Sequence, residues 1–155
     1  MPRWMRFIPR LVRFILAWLA AAVATAVVGS ALQTQRVLSR LDGVGADITS
    51  DERVSTTLYD LQHFATLYVI PITVGMLVAL GAGLLVYRKV GFGRPLVFAV
   101  AGGVAMLVML VAMKEAYFGV HLVGGAREAP GLALQALAGA LGGLLFAALF
   151  PQRAR

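Results

Sequence analysis

The run Phe14–Gln35, FILAWLAAAVATAVVGSALQTQ, decides the fold. It carries no charge and exceeds the ~20 apolar residues an α-helix needs to cross a ~30 Å hydrocarbon layer. Moving outward, the same pattern returns three times. Leu61–Tyr87 has no Asp, Glu, Lys or Arg and contains His63, and Pro95–Met113 and Ala129–Gln152 contain no charge. Alternation with period two is absent, so a transmembrane β-barrel is not supported. The expected fold is all-α, one polytopic membrane domain over residues 1–155. It is an antiparallel bundle of four transmembrane helices with spans near 14–35, 61–87, 95–118 and 131–150.

Composition agrees. Of 155 residues, 60% are apolar and 14% charged, with mean hydropathy +0.84. A soluble domain of this length carries about 25% charged residues. The absence of cysteine excludes a disulfide scaffold, a thiol redox centre and an iron–sulfur cluster.

The charges between the runs set the orientation. Arg3, Arg6, Arg10, Arg13, Arg88, Lys89, Arg94, Arg153 and Arg155 fall on one side with no acid, a charge of +9. The other side carries Arg36, Arg40, Arg53, Lys114 and Arg127 against Asp42, Asp47, Asp51, Glu52, Asp60, Glu115 and Glu128, a charge of −2. Lys and Arg concentrate in cytoplasmic loops, so both termini are expected inside the cell. The basic edge lies where lipid phosphates lie, which makes the anionic inner leaflet the expected partner and argues against nucleic acid. Arg3, Arg6, Arg10 and Arg13, spaced 3, 4 and 3 apart, share a helix face and are candidate headgroup contacts. Pro9 starts or kinks that segment. A cleavable signal is the competing reading of this N-terminus, but signal cores run only ~7–15 residues, so an uncleaved first span is expected.

Beyond Gln35 the stripe Val37, Leu38, Leu41 continues at helical spacing, and Gly43 is the expected cap. After a short turn, Thr49 and Glu52 have capping-box spacing. Val54, Leu58, Leu61 and Ala65 lead on into the second span. The two stripes are expected to bury against each other in a helical hairpin projecting roughly 15 Å from the outer face. The remaining connections, Arg88–Arg94 and Gly119–Pro130, are short, as in compact antiparallel bundles. Ala79 with Gly83, Ala99 with Gly103, and Gly139 with Gly143 are small-xxx-small pairs. They are expected to pack helices within the chain rather than between chains.

Residues that could carry chemistry gather at the outer end: Asp60, His63, Lys114, Glu115, His121, Arg127 and Glu128. Lys114 follows a long uncharged run and is expected to be structural, paired with Asp60, Glu115 or Glu128; the alternative is a lysine that meets an anionic headgroup or substrate. His63 and His121 could ligate a haem across facing helices, although interfacial structural roles are commoner for histidine. No metal-ligand spacing, Walker loop, nucleophile elbow or His-Glu-x-x-His helix is present, so no metal and no catalytic residue are expected. Thr66, Thr73 and Gln135 are expected to form hydrogen bonds between helices.

Gly124-Gly125-Ala126-Arg127, Gly131, Gln135-Ala136 and Ala138–Gly143, with Asp60 ahead of the second span, resemble small four-helix inner-membrane proteins of proteobacteria. The resemblance implies a bacterial inner membrane and no particular activity. The expected function is that of a non-enzymatic accessory or assembly subunit, contacting other membrane subunits or copies of itself. A homo-oligomeric channel or small transporter with a polar outer mouth is the alternative, and a haem- or quinone-binding protein the third reading.

Overall fold

The structure is a computed structural model that describes the backbone of residues 3–116 and 128–150 and the side chains of 9–63, 69–115 and 128–150. Four long helices account for almost all of it: α1 (Arg3–Gly43), α2 (Ser50–Val90), α3 (Arg94–Ala116) and α4 (Ala129–Leu149). The helix in α1 passes through Pro9 rather than starting at it. A proline there removes one amide donor near the helix start, and the remaining turns carry the segment on.

Local chemistry sets the ends. Thr49 has extended backbone and accepts from the Glu52 amide through Oγ1, while the Glu52 carboxylate accepts from the Thr49 amide at 2.8 Å. Two amides left without partners by the start of α2 are thereby satisfied. At its other end Gly91 takes φ +78° and donates to the Tyr87 carbonyl, a left-handed cap that suits glycine. Pro130 occupies the first turn of α4, where its missing N–H has no consequence.

The helices form an antiparallel polytopic membrane bundle in a ring: α1 packs on α2 and α4, and α3 packs on α2 and α4. Its interior is unusual for a water-soluble protein. Ala17, Ala21, Ala22, Ala26, Ala105 and Ala138 are buried together with Met76, Met106, Phe98 and Phe146. Ile72, Leu80 and Leu110 join them, while many large branched residues point outward, among them Leu16, Val23, Val74, Val78, Leu96, Val104, Val108 and Leu141. The apolar windows of the four helices are only 22–39% buried within the chain. In water so broad an apolar exterior would be an aggregation surface; in lipid it is the solvated face.

Glycine draws the backbones together. A Cβ at Gly143 would fall on the Phe98 carbonyl, and one at Gly139 on the Gly102 carbonyl, so α3 and α4 touch main chain to main chain. Beside them Gly103 faces the Ala136 carbonyl, which lies 3.2 Å from where its Cβ would sit, and Ala99 lies along the same contact. A Cβ at Gly83 would lie 3.2 Å from the Ala101 Cβ between α2 and α3, and half-buried Ala79 packs on the shared core. Phe14, Phe98, Phe146 and Phe150 close the end that holds the start of α1, with ring centroids 5.0–5.7 Å apart.

The α1–α2 hairpin stands beyond the other end, but its two apolar stripes do not cover each other. Leu38 is only 7% exposed, whereas Leu41, Val54 and Leu58 are 45%, 60% and 56% exposed. Polar groups hold the arms instead. Thr34 donates to Asp60 at 2.6 Å, Gln35 to Thr57 at 3.0 Å and Arg53 to Asp42 at 3.0 Å. Arg53, Thr57 and Asp60, four and three apart, form the face of α2 that meets α1. Val54 and Leu58 each lie one residue further on, ~100° round the helix, and so turn away.

Candidate functional site

The hairpin end of the bundle collects the polar side chains. Asp60 is half-buried on α2 and accepts the Thr34 hydroxyl proton. His63, one turn along, is exposed; its ring stacks on Tyr59 at 4.2 Å and Nδ1 lies 3.1 Å from the Tyr59 carbonyl. A carbonyl only accepts, so that contact is a hydrogen bond when Nδ1 carries the ring proton. Lys114 is half-buried and Glu115 exposed at the last turn of α3. His121 and Arg127 lie outside the described residues.

The partners expected for Lys114 are not joined to it. Among the described residues no ion pair links Lys114 with Asp60, Glu115 or Glu128. Glu128 is drawn to α1, where Arg40 approaches it at 2.6 Å and Arg36 at 3.7 Å. It sits at the N-cap of α4 without capping it through its side chain. Its negative charge at a helix N-terminus is favoured by the helix dipole, and the two arginines add to that. The clamp fixes the extension of α1 to the start of α4.

Below this layer polar groups continue along α1 into the bundle. Thr25, Ser30 and Thr34 are buried, and so is Gln135 on α4. Gln135 donates to the Gly29 carbonyl at 2.9 Å and so ties α4 to α1. Thr25 and Thr34 turn their hydroxyls back to the carbonyls of Ala21 and Ser30. Thr73 does the same toward Val69, and its own carbonyl accepts the Trp18 indole N–H at 2.9 Å. The side chain of Thr66 lies outside the described residues. Sequence reasoning passed over Ser30, Gln33, Thr34, Arg36 and Arg40 as members of this cluster. The signal was present: Ser30 and Thr34, four apart, share a helix face, and Gln33–Arg36 is a polar tail on an apolar run.

The opposite end is basic. Arg10, Arg13, Arg88 and Lys89 are exposed, and Arg94 donates to the Phe150 carbonyl with its guanidinium 5.8 Å from the Phe98 ring. A cation on the last carbonyls of α4 complements that helix dipole. The side chains of Arg3 and Arg6, and Arg153 and Arg155 altogether, lie outside the described residues.

At the hairpin tip, the Thr49 amide and then the Thr49 hydroxyl, both bonded to the Glu52 carboxylate, hold its pKa below the usual glutamate range. Among the described residues no group of three or more His, Asp or Glu could hold a metal ion. What the arrangement defines is a polytopic four-helix membrane protein whose polar groups are concentrated at one end. Comparison of the chain with protein-family models, curated proteins and solved structures found no match.

Proposed function

We propose that the chain is a small, non-enzymatic subunit of a bacterial inner membrane that docks onto a larger membrane complex through its helical hairpin. The observation behind this reading is the uncovered apolar surface of that hairpin. Val44, Val54, Leu58 and Tyr59 are 82%, 60%, 56% and 61% exposed on a segment that extends past the bundle. An amphipathic helix face left open beyond the bilayer is a surface for a partner helix or groove. The basic end faces the cytoplasm in this reading, with Arg10 and Arg13 on anionic headgroups.

Purification from native membrane in mild detergent tests it. With a photo-crosslinking residue at Leu58, one defined partner protein is expected to be captured. The same residue at Val100, on the lipid-facing side of α3, captures none. Recovery of the isolated chain alone, with no crosslink at Leu58, overturns the reading. A homo-oligomer containing no other protein overturns it too, in favour of a channel or small transporter.

A further inference from the structure

The interior of the hairpin end holds oxygens that lack the hydrogen bonds their surroundings demand. Ser30 is fully buried and its Oγ has no hydrogen-bond partner. A helical serine readily turns its hydroxyl back to the carbonyl four residues earlier, as Thr25 and Thr34 do here, yet Ser30 does not. Oε1 of Gln33 is likewise buried and without a partner. Thr34 Oγ1 lies 3.0 Å from the Ser30 carbonyl and 2.6 Å from Oδ2 of Asp60. Its single proton can serve only one of them at a time.

Asp60 itself lacks a countercharge. Arg36 and Arg40 are taken up by Glu128 and Arg53 by Asp42, and among the described residues no Lys or Arg stands within ion-pair distance of Asp60. Ser30, Gln33 and Thr34 occupy positions i, i+3 and i+4 of α1, where Cβ atoms are ~5–6 Å apart. The Thr34–Asp60 bond brings the carboxylate to the same turn.

We propose that this turn of α1, together with Asp60 of α2, binds one small monovalent cation. Its ligands are the Asp60 carboxylate, the Ser30 and Thr34 hydroxyls and the Gln33 amide oxygen. Every donor is a hard oxygen, which selects against soft metals. One carboxylate supplies one negative charge, which an alkali cation balances. Ca²⁺ takes ~6–8 oxygens and is commonly served by several carboxylates, and Mg²⁺ gives up its waters reluctantly. A water molecule would satisfy Ser30 and Gln33 but bring no positive charge to the half-buried Asp60 carboxylate.

Thermal unfolding of the full chain in detergent tests this, with NaCl, LiCl or KCl replacing choline chloride at constant total chloride. The expected result is a saturable rise of the midpoint with one alkali cation, about 5–10 °C at a hundred times its Kd. Asp60→Asn, which preserves shape, and Ser30→Ala are each expected to abolish the rise while the circular dichroism stays helical. Equal midpoints in choline and all three alkali chlorides overturn the proposal. A cation effect that survives in a folded Asp60→Asn variant also overturns it. Should either variant fail to fold, the wild-type salt series decides alone.

Discussion

Gly142 and Gly143 are adjacent in sequence and serve different neighbours. A Cβ at Gly143 would fall on the Phe98 carbonyl of α3, and one at Gly142 on the Thr25 hydroxyl, 2.9 Å from the Ala21 carbonyl of α1. Backbone cannot rotate aside as a side chain can, so the helices themselves would have to separate. Gly142→Ala and Gly143→Ala are each expected to lower stability by about 1–3 kcal/mol, read as a fall in the thermal midpoint in detergent. Gly81 supplies the contrast, since nothing lies within 4 Å of where its Cβ would be. Gly81→Ala is expected to leave the midpoint unchanged or raise it, because alanine is favoured over glycine in a helix by about 0.5–1 kcal/mol. The sequence exposed only part of this. Four-residue spacing picked out Gly139 and Gly143 as a ridge, whereas Gly102 has no small residue four positions away and Gly142, four after Ala138, was not singled out. Which residue opposes which is a property of the assembled helices.

At the scale of elements, the hairpin shows what periodicity can and cannot tell. The capping box at Thr49 and Glu52 was readable because it depends on two residue types at a fixed separation. The way the arms join was not, because an apolar stripe states where a face lies and not what it meets. Here the meeting faces are Thr34, Gln35 and Asp42 against Asp60, Thr57 and Arg53. The candidate site was legible to the same degree: the acidic and basic residues could be gathered at one end, but their pairings could not. Glu52 gives the cap a pH dependence. Its pKa is lowered in the folded chain, so its contribution is complete above the usual carboxyl range and disappears as pH falls through the lowered value. Amide-exchange protection factors over Thr49–Arg53 are expected to fall on such acidification. Glu52→Gln keeps an acceptor for the Thr49 amide and is expected to flatten that dependence. Unchanged protection in the wild type at low pH would remove the carboxylate from the cap.

For the molecule as a whole, uncharged runs located the helices, because hydrocarbon excludes charge far more strictly than a protein core selects side chains. The distribution of bases adds a direction. A reporter fused after Arg155 is expected to be active inside the cell and one inserted at Asp47 outside it; the reverse pair of signals would invert the molecule. Closure of the ring was less accessible to reading, since short loops make sequential helices neighbours but say nothing of the first and fourth. That closure bears on biogenesis. The side of α1 bearing Ala21, Thr25, Gly29, Arg36 and Arg40 is completed by α4, the last of the four to leave the ribosome. Until then the Thr25 hydroxyl and the Gly29 carbonyl wait in the bilayer without their cover, and Arg36 and Arg40 stand beyond its edge without Glu128. A nascent chain halted after α3 therefore presents membrane quality control with a recognisable polar seam, which the arrival of α4 erases.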